Sequence, residues 1–399
     1  MYGEKFLKIL KASLKGTQVN TELNLTESDI REILLLAETH KVLPLVFDAA
    51  YSLFPEGDRE NIRVHAKLLV SRQALATERF LASYKALNSR GLYPLVVKGI
   101  VCRELYPNPD LRCSSDEDLL MEADSADLYP EIMSNLGLSP LRDREDGSYQ
   151  QSYMSTSGLY IELHRSLFPL TSPMFEKYNL AFEDAHKSSI SVTIGETRLR
   201  TLSHTHHMLF LILHALKHFL HSGVGIRQVC DISLYANAFG KEIDWGYVFE
   251  KCAEVSASDF AAALFKIGSR YLTLDYSLAG IPLVWQESDT DELPLLEDIL
   301  TGGIYGTSQR ARQHSSGFTL DAASGKKPSL KNRLFPSGKN LPAQYGYAAK
   351  NPVLLPIAWS QRLFRYGMEI DTKNKNTPLN AVKIGNQRLQ LLKKYNILP

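Results

Sequence analysis

The stretch Pro94–Met121, PLVVKGIVCRELYPNPDLRCSSDEDLLM, decides how the chain is read. It opens with a β-rich apolar run, Leu95-Val96-Val97, which breaks at Lys98-Gly99 and continues as a short helix through Leu105. Gly99 lets backbone amides come close to a ligand, and Lys98 brings positive charge to the same turn. The stretch closes with Asp116-Glu117-Asp118 ahead of Leu119-Leu120-Met121, which reads as a strand. Residues two apart on a strand share a face, so Asp116 and Asp118 point the same way. Carboxylates held that close repel one another unless a cation lies between them, and an oxygen-rich pair suits Mg²⁺ carrying substrate phosphates. Taken alone, such a pair is more often a solvated strand edge.

Upstream, the pattern is helical. Phe6, Leu7, Ile9, Leu10 and Leu14 keep a helical period, Leu25 to Ala50 forms a second helical region interrupted at Pro44, and a long helix is predicted from about Glu60 to Ser89, ended by Gly91. Downstream come a helix from Ala126 to Leu136, a charged loop from Arg142 to Gly147, and two strands, Tyr149–Met154 and Leu159–His164, joined by a turn. On the second of these Tyr160, Glu162 and His164 share a face, which makes Glu162 the natural third carboxylate. A second hairpin from Ile190 to Leu202 precedes a long helix starting near Ser203, on which His214, His218 and His221 fall on one face. That face reads either as a metal site or as polar lining of a cleft. Strand, helix, acidic strand, helix and hairpin imply an α+β fold: a small mixed-sheet core embedded in largely helical N- and C-terminal regions. The expected divisions are a helical region over 1–90, the core over 91–203, a helical domain over 204–300, and a basic C-terminal region over 301–399 with a linker at 315–340.

Composition narrows the function classes. A chain of 399 residues with 44% hydrophobic and 22% charged residues is globular, not disordered. Its most apolar runs, Met208–Leu213 and Val353–Trp359, fall far short of the ~18 residues of a membrane span. The first sixteen residues scatter Lys5, Lys8, Lys11 and Lys15 among apolar ones, unlike a secretion signal, and Cys102, Cys113, Cys230 and Cys252 show no zinc spacing, so a cytoplasmic protein with reduced thiols is expected. Thr301-Gly302-Gly303-Ile304-Tyr305-Gly306 lacks the ending of a phosphate-binding P-loop and reads as a turn. Net charge is +1, yet Arg310–Pro399 carries +13 against −12 for the remainder. Folding of this basic block onto the acidic remainder is the preferred reading, with Val353–Leu363 buried against the helical domain; a nucleic-acid role is not favoured.

Lys98-Gly99, Tyr106-Pro107, Pro109, Leu111-Arg112, Ser115 and Asp116-x-Asp118 occur in an order that resembles the uncharacterised nucleotidyltransferase family of the DNA polymerase β-like superfamily. The resemblance continues through Tyr160–His164, Leu213–His218, Asp231 and Asp244-Trp245. It implies transfer of a nucleoside monophosphate from an NTP to an acceptor hydroxyl with release of pyrophosphate, using two Mg²⁺ ions about 3.5–4 Å apart. Asp116, Asp118 and Glu162 would hold metal, and Lys98, Gly99, Arg112 and Ser115 would meet the triphosphate, Arg112 through its planar fork. His164, His214, His218 and Asp231 would border the substrate cleft. The acceptor is open among small molecules, RNA and proteins. One position departs from the family pattern. Glu117 stands where an apolar residue is usual, so it has to meet a cation, reach solvent or distort the strand. A distorted strand would leave a catalytically inactive nucleotide-binding regulatory protein as an alternative, and a phosphotransferase on the same fold is a second, since its metal and triphosphate ligands look alike in sequence.

Overall fold

Val96, Leu119, Leu163 and Thr201 lie side by side across four strands, and all are buried. The arrangement follows from a computed structural model that describes residues 3–19, 23–141, 149–170, 173–221, 223–302, 310–323, 325, 341, 345–368 and 378–398. The charged loop expected at Arg142–Gly147 and most of the expected linker lie outside the described residues. Among the described residues there are seven strands: β1 (Leu95–Val97), β2 (Glu117–Leu120), β3 (Leu138–Pro140), β4 (Gln150–Ser155), β5 (Tyr160–His164), β6 (Ile190–Ile194) and β7 (Thr197–Thr201). They form one mixed sheet in the order β3-β4-β5-β2-β1-β7-β6, with β2/β5 and β1/β7 parallel and the other neighbours antiparallel. The α+β expectation therefore holds. Both hairpins form, while the edge strand β3 was not foreseen.

Helices enclose this sheet. Thr26 and Asp29 form a capping box at the start of Glu27–Thr39, and Pro44 opens the helix Leu43–Ala50, where its missing N–H costs no hydrogen bond. The long helix Glu56–Ser89 is tied to the sheet by one side chain: Tyr84 OH donates to Pro94 O, just before β1, at 2.9 Å and accepts from Arg200 N of β7 at 3.0 Å. The apolar core is continuous from Phe6 through the sheet to Leu392, Tyr395 and Ile397. No helix among the described residues is long and apolar enough to cross a membrane.

The basic C-terminal block divides in two. The helix Arg310–Ala323 replaces the first part of the expected linker, because Arg312 pairs with Asp298 through 2.9 and 2.6 Å contacts and Thr319 donates to Leu220 O. The helix Pro378–Lys394 packs beside it, and Arg388, fully buried, donates to the Phe219 and His221 carbonyls. The expected burial of Val353–Leu363 fails: Val353 is 81% exposed and Ile357 51%. Tyr345, Ala348 and Ala358 instead form a small cluster of their own, separate from the main core. Tyr395→Ala should accordingly destabilise the protein by about 3–5 kcal/mol in chemical denaturation, since it empties a fully buried site and strands the Leu295 amide. Phe364→Ser, at a side chain that is 72% exposed, should stay within about 0.5 kcal/mol.

Candidate active site

Sheet register aligns a second row on the opposite face, Ser152, Glu162, Asp118 and Val97. The parallel β2/β5 pair thus sets Asp118 directly beside Glu162, although the two are far apart in sequence. His164, two residues beyond Glu162, leans back so that its Nε2 lies 3.0 Å from Asp118 Oδ1 and 3.6 Å from Glu162 Oε2. Tyr160 OH donates to Glu162 Oε1 at 3.0 Å. Burial opposes ionisation of Asp118, but the His164 hydrogen bond and the Lys98 charge hold its carboxyl down at about 2. Glu162 is shifted the other way, upward, first by burial and then by the Asp118 charge. Ligand atoms of Asp118, Glu162 and His164 all lie within 4.8 Å of one another, a donor set that fits a divalent cation. Asp116, just before β2, also lines the cavity but stands outside this close triad.

The turn at Lys98-Gly99 is built from behind. Lys98 takes the left-handed φ of 59°, rare for a side-chain-bearing residue, and its N–H donates to His207 Nε2 at 3.0 Å. Burial pulls His207 down to about 3, so the ring stays neutral and keeps the acceptor lone pair this bond requires. Glu117, on the opposite strand face from Asp118, does meet a cation. It accepts from Arg103 Nη2 and, at 2.9 Å, from the Ile100 amide at the start of the helix Gly99–Arg103. The strand is not distorted: β2 keeps both its neighbours in register. Gly99 serves this bond, because a Cβ there would come within 2.1 Å of Glu117 Oε2 at a backbone φ of +27°. Gly99→Ala should therefore lower stability by about 1–3 kcal/mol, measurable as a drop in Tm; an unchanged Tm would show that Glu117 can leave the turn at no cost.

Arg112 and Asp231 are where sequence and structure part. Neither lines the cavity. Arg112 is fully buried and grips Asp231 with both prongs, Nε to Oδ1 at 2.7 Å and Nη2 to Oδ2 at 2.6 Å, while Tyr106 OH donates to Oδ1 at 2.8 Å. The fork expected on a triphosphate fastens the Tyr106–Arg112 segment to the helix Ile226–Phe239. Ser115 does line the cavity, with Lys41 Nζ donating to its hydroxyl at 2.9 Å.

The cavity measures about 970 Å³ and has two unlike walls. Opposite the carboxylates runs the helix His204–His221, presenting His214, Lys217, His218 and His221. Gln228 Oε1 accepts from the Gly225 amide at 2.9 Å, which turns its NH₂ toward His214 Nδ1 at 3.3 Å. That assigns the hydrogen of His214 to Nε2, which donates to His218 Nε2 at 3.2 Å. Burial holds both rings well below their ordinary values, so this neutral chain persists at neutral pH. These two nitrogens are engaged with each other, which favours polar lining over metal ligation. Sequence reading overlooked Lys217, Lys41 and Arg227. Lys217 is half-buried, held below its ordinary value by burial against the opposing pull of Asp118 and Glu162, and its Nζ reaches Tyr149 OH at 3.3 Å. Its helical spacing from His214 and His221 was the signal available.

Residues 26–272 match the family described as uncharacterised nucleotidyltransferase. No curated protein matches significantly. Among solved structures the chain is similar to the antibiotic-resistance factor ANT(2'')-Ia, at 14% identity over 47% of this chain and 94% of that one, with a TM-score of 0.33. It is also similar to an antigenic nucleotidyltransferase-like protein from Paracoccidioides brasiliensis, at 13% identity over 50% of this chain and 95% of that one, with a TM-score of 0.31. The matched span covers most of the chain and includes the whole sheet, the aligned carboxylates and the histidine-bearing helix, so the protein belongs to the uncharacterised nucleotidyltransferase family.

Proposed function

We propose that the protein transfers a nucleoside monophosphate from an NTP to an acceptor hydroxyl, with Mg²⁺-type assistance and release of pyrophosphate. The observation that supports this most is the in-register pairing of Asp118 with Glu162 at the wall of a cavity large enough for a nucleotide and part of an acceptor. Asp118 and Glu162 would hold the divalent ions, joined by Asp116 just before β2. Bound there, such ions neutralise phosphate charge and make a hydroxyl easier to deprotonate.

The remaining work falls to the chain's own groups. Lys98, Lys41 and Arg227, all on the cavity wall, supply positive charge for the triphosphate, with Ser115 as a hydrogen-bonding partner. The acceptor oxygen attacks the α-phosphorus, the bond from that phosphorus to the pyrophosphate oxygen breaks, and the acceptor proton passes to Glu162 Oε2. Glu162 suits that role because Tyr160 and Ser152 donate to its Oε1 and leave Oε2 to accept the proton. The concern attached to Glu117, which would have favoured an inactive relative, is removed by its Arg103 partner.

Supplying the four NTPs with Mg²⁺ and mixtures of sugars, aminoglycosides, tRNA and proteins should give pyrophosphate release dependent on one NTP and one acceptor class. Nucleoside diphosphate in place of pyrophosphate would identify a phosphotransferase. Metal-dependent nucleotide binding with no product against any acceptor would identify a binding protein.

A further inference from the structure

We propose that His164 is a nitrogen ligand of the divalent-metal site and biases that site toward Mn²⁺ over Mg²⁺. The inference rests on the reading that Asp118 and Glu162 hold metal, and goes beyond it in naming a nitrogen donor and the cation class.

Position comes first. His164 follows Glu162 by two residues on β5, so strand alternation puts its ring on the carboxylate face, and its Nε2 comes within 3.0 Å of Asp118 and 3.6 Å of Glu162. One nitrogen and two carboxylate oxygens then converge within 4.8 Å, on residues that a continuous sheet holds in place. The ring's own bonding comes second. His207 has neighbours for both nitrogens, Lys98 N at 3.0 Å and Thr201 Oγ1 at 3.5 Å, and His214 likewise has Gln228 and His218. His164 Nδ1 is buried with no hydrogen-bond partner, on a residue only 7% exposed. Its Nε2 is the nitrogen that faces the two carboxylates, and a cation bound between them would take the place of the proton now shared with Asp118.

Cation chemistry comes third. Mg²⁺ favours oxygen donors and sheds water reluctantly, whereas imidazole suits first-row transition ions, and Mn²⁺ accepts mixed carboxylate and imidazole sets. Replacing an oxygen donor with imidazole therefore shifts the ratio of affinities toward Mn²⁺ without emptying the site of Mg²⁺.

The test uses the full chain with each metal alone. In wild type, Mn²⁺ bound to the protein should show ¹⁴N modulation from a directly coordinated imidazole in pulsed electron paramagnetic resonance. His164→Asp, which restores an all-oxygen set, and His164→Gln should both lose that modulation. In Mn²⁺ and Mg²⁺ titrations the Mn²⁺:Mg²⁺ affinity ratio should fall about tenfold in both variants. Bound Mn²⁺ without ¹⁴N modulation in wild type, or an unchanged ratio in both variants, would overturn the inference while leaving the carboxylate reading intact if Asp118→Asn still abolishes binding. Failure of wild type to bind either ion, even with all four NTPs present, would overturn both. If a variant does not fold, the wild-type ¹⁴N signal decides alone.

Discussion

Asp118→Asn should lower the transfer rate by at least about 10³-fold, a loss near 4 kcal/mol of transition-state stabilisation. The amide has nearly the shape of the carboxylate, so the sheet can keep its register, but the negative charge that His164 and Lys98 hold in place is gone. With that charge goes the counter-charge for any cation shared with Glu162. Pyrophosphate release with the NTP and acceptor identified by screening measures the effect, and Tm shows whether the fold survives. A variant that keeps a tenth or more of the wild-type rate would remove Asp118 from the reaction, and with it the central assignment of the site.

Arg112→Met should cost about 3–5 kcal/mol of stability, because among the described residues it leaves the buried Asp231 one side-chain hydrogen bond, from Tyr106, with Arg227 as a nearby charge. The double variant Arg112→Met, Asp231→Leu should recover much of that loss, since removing both charges removes the unpaired one. Burial opposes ionisation of Asp231, yet Arg112 prevails and its folded value lies below the ordinary one. Such a group stabilises fully above the unfolded carboxyl value of about 3.9, and the contribution disappears as pH falls through the lower folded value. The stability gap between wild type and Arg112→Met should therefore narrow in acid. A gap under about 1 kcal/mol at neutral pH, together with weakened NTP binding, would return Arg112 to the nucleotide.

The contrast between these two aspartates explains what the sequence could disclose. That Asp118 and Glu162 share a sheet face was legible because each sits on a strand whose alternation assigns it a face, and a motif order tied the strands together. Arg112 was misread because the same fork serves a phosphate or a carboxylate, and its actual partner lies on a helix 119 residues away. Glu117 looked anomalous for a related reason: its cation, Arg103, lies on the neighbouring short helix and carries no motif. The C-terminal block failed differently. Charge complementarity foretold that it would fold back, and Arg312 with Asp298 does so, but net charge says nothing of which segment packs, and Val353 remained outside. Lys217 carries no motif of its own, although three- and four-residue spacings place it on one helix face with His214, His218 and His221.

The Arg112–Asp231 clamp also bears on motion. A desolvated ion pair does not stretch gradually; separating its halves exposes two charges in a place shaped to exclude water, a penalty of several kcal/mol on each opening. The state in which the sheet and the helix Ile226–Phe239 hinge apart would thus be sparsely populated. Substrates and products are left to exchange through the mouth of a preformed cavity, and amide hydrogens on that helix should exchange with solvent about as slowly as those of β1 and β2.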